Sequence, residues 1–412
     1  MKNYTFTKYA CYVSGVSMAI IIVVPAILFE TFRELYGISY TLLGTLVVIN
    51  FVTQLSMDLL FTFFPKAFNV KLAVKLTPFL TASGFLIYSL MPLVFPESAY
   101  PWMALGTVIF SASGGLCEVL LSPIIAAIPS ENPERDMSKL HSCYAWGAVV
   151  IVIFSTLFLR LVGGKMWYLL PITMCIIPLV AMLLFMKSEF PEMNMEGEKG
   201  GGGGLFSKGI LLCFFCIFVG GATESVMTQW ASSYLESAVR IPKVAGDIMG
   251  TAFFAATLGL GRTLYAKYGR NITNVMLAIS TGAIVTYAVA ALSLNPAISL
   301  IACGLTGLCV SMLWPGTLII VGEKYPGASV AVYAMMAAGG DLGTALAPQI
   351  VGVVADKAAV TETAHNIAGK FSITSEQVAM RAGLLSASVF ALLTVIAVIS
   401  IKVYFSKTKG VE

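Results

Sequence analysis

The sequence predicts an all-α membrane protein: twelve transmembrane helices in two pseudo-symmetric six-helix bundles. Three observations carry that prediction. Charged residues make up only 11% of the chain and hydrophobic ones 58%, whereas soluble domains carry about 25% charged residues. The apolar residues gather into twelve runs, each long enough to cross the hydrocarbon layer as a helix. A polar, glycine-rich stretch then divides those runs six and six. Lipid offers the backbone no hydrogen bonds, so runs of this length must be helices rather than loops. The short alternating strands of a membrane β-barrel are not seen.

The first half holds spans 1 to 6, at 9–31, 40–64, 72–94, 100–128, 138–162 and 166–187. The second holds spans 7 to 12, at 207–235, 244–266, 272–293, 296–322, 327–355 and 379–405. Span 1 is too long for a cleavable signal and is expected to stay in the membrane. Pro25, Pro123, Pro171, Pro315 and Pro348 fall inside spans, where a missing amide and a steric clash bend a helix. Tyr100, Trp102 and Trp167 fall at span ends and read as interfacial anchors. The polar segment 357–378 reads as an outer loop with a short helix.

Between spans 6 and 7 the composition turns acidic and then glycine-rich, with five consecutive glycines at 200–204. Such a stretch is a flexible linker. The expected organisation is a bundle at 1–187, a cytoplasmic linker at 188–206 and a second bundle at 207–412. Lys and Arg in the connections divide about two to one in favour of the side holding both termini. The positive-inside rule therefore places the termini in the cytoplasm of a plasma membrane, the inner membrane of a bacterium.

Composition also excludes functions. A net charge of +4 gives no basic patch for nucleic acid. All eight Cys lie in apolar runs, and the Cys213-x-x-Cys216 pair sits within one span, as small core residues do. No H-E-x-x-H, G-x-S-x-G or G-x-x-x-x-G-K-[ST] occurs, which argues against an intramembrane enzyme. No cofactor or metal is expected; the partners are membrane lipid and a small solute, and the chain is read as a monomer.

An internal repeat links the halves. Gly115-Leu116-Cys117, then Leu121 and Pro123, match Gly307-Leu308-Cys309, then Leu313 and Pro315, about half a chain apart. Both copies lie on the fourth span of their half, the pattern of a transporter built from parallel repeats. Glu118 corresponds to Val310, so the halves differ in chemistry at this point.

Glu118 is the only Lys, Arg, Asp or Glu between Glu97 and Glu131. A carboxylate at that depth costs roughly 2.5–3.5 kcal/mol on insertion scales, so it reads as functional. Ser122 shares its face one turn on. Glu224 is the only charge between Ile210 and Leu235 on span 7, with Thr228 on its face, and Gln229 and Trp230 follow it. It reads as a substrate or coupling group, or as one end of an interhelical hydrogen bond. Asp341 lies mid-span 11 among glycines, either receiving a proton or pairing with Arg262. Asn50, Gln54 and Asp58 make one polar stripe on span 2, facing protein or water. The first two read as hydroxyl ligands and Asp58 as an interdomain latch. His141, Tyr144 and Trp146 open span 5, as sugar ligands or as interfacial residues. Trp230 and Trp314 lie well inside spans 7 and 10, where an indole face can stack on a sugar ring.

Together these features resemble the major facilitator superfamily, and within it the fucose–galactose–glucose:proton symporters. The likeness rests on Gly114-Gly115 before Glu118, with Ser122-Pro123 after it. It rests also on Gly221-Ala222-Thr223-Glu224 with Tyr234, Gly261-Arg262, Ser311 with Trp314-Pro315, and Gly339-Gly340 with Pro348, Gly352 and Asp356. The sequence departs from the pattern in three places. The loop after span 2 keeps only Lys66 and Lys71, span 1 has no carboxylate, and Ser122 stands where the family has Asn. The resemblance implies a cation symporter that imports a small polar solute, a monosaccharide first, by alternating access. Glu118, Asp341 and Glu224 would handle the proton, or sodium in its place. Asn50, Gln54, Glu118, His141, Tyr144, Glu224, Gln229, Trp230 and Trp314 would bind substrate, while Asp58, Arg262 and Lys66 would gate. A drug or metabolite exporter of the same fold is the alternative. Span 5 lacks the Gly-Pro-Gly-Gly signature such antiporters share.

Overall fold

The structure, a computed structural model, describes residues 4–38, 40–193 and 204–408. The described residues are helical throughout, with no strand among them. Eleven of the helical segments are long and apolar enough to cross a membrane. The remaining span, span 8, is present in pieces. It runs as helix over Lys243–Gly246, π-helical turn over Asp247–Ala252 and helix over Phe253–Tyr268. The π-turn interrupts what would otherwise be a twelfth continuous span. Most of the linker, 194–203, lies outside the described residues.

Helix starts are set by side chains that accept the first free amides. Asn69 Oδ1 accepts from Leu72 N at the head of span 3 (Val70–Val94). Asn132 accepts from Arg135 N before span 5 (Pro133–Val162), with Pro133 preset for the first turn. Asn271 and Asn295 do the same for span 9 (Ile272–Leu292) and the first part of span 10 (Pro296–Val310). Span 1 (Thr5–Ile27) turns at Leu28 into a short helix, Phe29–Tyr36, that ends on left-handed Gly37. The outer loop contains the helix Glu362–Phe371, capped by Thr361.

The prolines act unequally. Pro123 lies within the continuous helix of span 4 (Ala99–Ala127), and Pro348 within that of span 11 (Val330–Ala359). Span 6 breaks at Cys175, four residues after Pro171, into Leu169–Met174 and Ile176–Met186. Span 10 breaks at 311–312, before Pro315, and resumes as Leu313–Lys324.

The chain divides into two compact units. The first is Met1–Gly200 with Gly327–Ala338, and the second Gly201–Pro326 with Gly339–Glu412. In the first, Phe32, Tyr88, Trp167, Phe85 and Phe110 form an aromatic core, with Phe32 edge-on to Trp167 at 4.8 Å and Phe85 stacked on Phe110 at 4.6 Å. Trp167 is therefore not an interfacial anchor, as its place at a span end had implied. It is wholly buried, because the short helix after span 1 brings Phe32 over it.

The repeated glycine does the same work in both units. A Cβ on Gly115 would stand 2.8 Å from Met57 Cβ and 2.9 Å from the Gln54 carbonyl, on span 2 (Tyr40–Phe63). A Cβ on Gly307 would stand 2.1 Å from the Phe254 carbonyl on span 8. In each unit the fourth span thus meets the second backbone to backbone, which only glycine permits.

Candidate functional site: polar residues within the spans

The polar stripe on span 2 points into the first unit. Asn50, Gln54 and Asp58 are 8%, 4% and 0% exposed. Asn50 Oδ1 accepts from Gln54 Nε2 at 2.9 Å and from Ser111 Oγ on span 4 at 2.6 Å. Gln54 Oε1 lies 3.1 Å from the Cβ position of Gly114, so the glycine pair makes the room that this amide fills. One turn further along span 4, Glu118 is part-buried between the buried Cys117 and Val119, with Ser122 buried beyond it. Asp58 is deep inside the unit, and Lys66 is exposed on the turn Pro65–Ala67.

His141 and Tyr144 lie on span 5 where it meets span 1. A Cβ on Gly15 would sit 3.4 Å from the Leu140 carbonyl and 3.8 Å from Tyr144 N. Both side chains are part-buried, and Tyr144 packs on the core of the unit, whereas Trp146 is exposed. Below them, Lys8 pairs with Asp136, which also accepts from Ser130 Oγ at 2.8 Å. This ties the start of span 1 to the start of span 5.

In the second unit the structure gathers spans 7 (Lys208–Ser237), 8, 10 and 11 around one ion pair. Arg262 is 3% exposed, and its Nη2 donates to both carboxylate oxygens of Glu224 at 3.1 Å. Its Nε donates to the Ser311 carbonyl at 2.9 Å. That carbonyl would normally accept from the amide of residue 315, but residue 315 is proline. Arg262 supplies the donor that the helix lacks. Gly261 makes room for the Ser311 side chain beside it, since a Cβ there would be 2.2 Å from Ser311 Oγ.

A second side chain bonds the backbone of span 7 beside Glu224. The Tyr287 hydroxyl, on span 9, donates to the Thr223 carbonyl at 2.6 Å and accepts from Met227 N at 3.1 Å. In a regular helix those two groups bond each other. Sequence reasoning gave Tyr287 no role; a lone tyrosine in the middle of an apolar span was the signal.

Trp314 lies on glycine. A Cβ on Gly340 would be 2.2 Å from its ring, and one on Gly221 would be 3.2 Å from it. Asp341, 8% exposed, follows Gly340. Trp230 donates its indole N–H to the Pro348 carbonyl at 3.1 Å, with Gly352 under its ring, while Gln229 is exposed. Of the predicted residues, Glu224, Arg262 and Trp314 converge with Gly221 and Gly340, and Asn50 pairs with Gln54. Arg381 donates from span 12 (Ser375–Thr408) to the Ala291 and Ser293 carbonyls that end span 9 and to the Ala238 carbonyl that ends span 7. No cluster of metal-ligating side chains occurs among the described residues.

A polytopic helical membrane protein with two repeated units and buried intramembrane charge has the construction of a solute carrier. Residues 9–348 match the family model of the Major Facilitator Superfamily, and the chain belongs to that superfamily. The fold is similar to that of the E. coli fucose:proton symporter, with TM-score 0.73, 14% identity and coverage of 97% of this chain and 99% of that one. It is similar to a proton:xylose symporter, with TM-score 0.75, 13% identity and coverage of 96% and 94%. It is also similar to the human organic anion transporter MFSD10, with TM-score 0.69, 11% identity and coverage of 97% and 100%. No curated protein matches the sequence.

Proposed function

We propose that this transporter is a secondary active importer of a small polar solute, with monosaccharides as the leading class, driven by a proton. Glu118 carries the reading. It is a part-buried carboxylate in the middle of span 4, on the turn after the glycine pair that seats Gln54. A group of that kind can take up a proton and lose its charge before the protein rearranges, which removes the cost of moving a charge through a low-dielectric interior. Fold similarity to two proton-coupled sugar symporters supports the substrate class. Glu224 and Asp341 are the second-half candidates for coupling, with sodium as the other cation to be tried.

In this proposal Trp314 and Trp230 supply aromatic surface to the solute, with His141, Tyr144 and Gln229 as further ligands. Asn50 and Gln54 already bond each other and Ser111, so they act by seating span 2 against span 4 behind Glu118. Asp58, Lys66 and Arg262 are assigned to gating. The termini are placed in the cytoplasm of a bacterial inner membrane, on the basic bias of the connections, and the chain works as a monomer. The halves 1–187 and 207–412, joined by the linker 188–206, would alternate access to the solute.

The test is uptake into proteoliposomes with and without an inward proton gradient, across sugars, sugar acids and organic acids. Organic acids belong in the panel because a human organic anion transporter shares the fold. Sugar accumulation that needs the gradient, and that Glu118→Gln abolishes while exchange survives, is the expected result. Undiminished accumulation by Glu118→Gln removes the coupling assignment. Gradient-driven uptake of another solute class alone removes the sugar.

A further inference from the structure

We propose that Arg262 is a positioning residue that links the state of Glu224 to the placement of the Trp314 indole, through the bend in span 10. The proposal rests on the reading of Glu224 and Trp314 as solute or cation ligands. It stands on three contacts in one unit. The guanidinium is shared between the Glu224 carboxylate and the Ser311 carbonyl. The Ser311 carbonyl needs that donor because Pro315 has no N–H to offer it. Trp314 immediately precedes Pro315, and its ring lies across Gly340 and Gly221.

The geometry makes the three parts move together. Arg262 presents a planar fork, with Nε committed to span 10 and Nη2 to span 7. A ligand or cation that draws the Glu224 carboxylate away changes where Nη2 rests, and the rigid plane carries Nε with it. The Ser311 carbonyl then loses or shifts its surrogate donor at the one place where span 10 has no helix to hold it, residues 311–312. The ring of Trp314 reports the change because it lies close against span 11 at Gly340 and span 7 at Gly221, so a shift of span 10 alters its surroundings.

The test uses the full-length protein labelled with 5-fluorotryptophan and read by fluorine NMR without solute. The chain has five Trp, and the Trp314 line is the one missing from Trp314→Phe. Glu224→Gln and Arg262→Lys are each expected to shift the Trp314 line while leaving those of Trp102 and Trp167 in place. Pro315→Ala gives the Ser311 carbonyl an amide donor of its own. In that background Arg262→Lys and Glu224→Gln should each shift the line less than they do alone. A Trp314 line that stays put in both single variants overturns the proposal. So does a shift that is as large in the Pro315→Ala background as without it. Because Glu224→Gln is isosteric, it keeps the proposal open to refutation even if Arg262→Lys fails to fold. The signal is read without substrate, so its failure leaves the uptake result standing, and a failed sugar assignment leaves the NMR result standing.

Discussion

Tyr287→Phe tests what the Tyr287 hydroxyl contributes to span 7 beside Glu224. The change deletes one wholly buried hydroxyl, which bonds the Thr223 carbonyl at 2.6 Å and the Met227 amide at 3.1 Å. Two limits bracket the cost. If span 7 cannot close, both backbone groups stay buried and unbonded, at about 1–3 kcal/mol each. The total would then be roughly 2–6 kcal/mol. If it closes, the two groups bond each other as an ordinary helical pair. The net loss is then one hydrogen bond, about 0.5–1.5 kcal/mol. Interhelical side-chain bonds in membranes average about 0.6 kcal/mol, which fits the second limit. The helix runs unbroken through Thr223 and Met227, so the two groups are placed to bond each other and a cost near 1 kcal/mol is expected. Reversible unfolding of the purified protein in mixed micelles with SDS measures it. Hydrogen exchange on peptides covering Met227 should slow as the helical bond forms. A loss above about 3 kcal/mol, or faster exchange there, would show that the two backbone groups do not pair once the hydroxyl is gone.

Further variants probe the packing that carries the site. Gly115→Ala and Gly307→Ala should each cost about 1–3 kcal/mol by overpacking, with the larger loss at Gly307, whose added Cβ would lie 2.1 Å from a backbone carbonyl; equal thermal stability of Gly307→Ala and the parent would refute the close approach. Asn50→Ala strands Gln54 Nε2 and Ser111 Oγ, and the cycle with Ser111→Ala should give a coupling of about 0.5–3 kcal/mol, whereas additive losses would separate the two side chains. Arg381→Met should speed hydrogen exchange at the ends of spans 7 and 9 together, since one guanidinium serves carbonyls on both; faster exchange confined to span 12 would refute that joint cap.

What the sequence made legible follows a physical division. Spans are legible because lipid imposes a length and a composition on every helix, and span 8 illustrates the limit: its run is apolar enough, yet the π-turn at Asp247–Ala252 leaves no trace in hydropathy. The stripe Asn50, Gln54 and Asp58 was legible as one buried face because helical periodicity alone decides it. Which of its members bond each other was not, because that depends on Ser111 and Gly114 arriving from another span. Trp167 was misread for the same reason. Its place at a span end is a one-dimensional fact, while its burial comes from Phe32 folding back. Glu224 and Arg262 were both singled out, but the role of Arg262 toward Ser311 depends on a proline four residues along a different helix.

The repeat shows how one local arrangement can be given two uses. Gly115 and Gly307 keep the same close approach, and Pro123 and Pro315 hold the same register relative to them. The first copy leaves its helix continuous and carries a carboxylate at Glu118. The second carries Val310 at the matching place, breaks its helix, and draws in a cation from span 8 to satisfy the exposed carbonyl. That cation then requires an anion, because a guanidinium only 3% exposed is costly to leave uncompensated. Glu224 on span 7 meets that need. The charge in the second unit can thus be traced to a missing amide at Pro315. Glu118 lies on the copy whose helix stays continuous, and proton coupling is the role proposed for it.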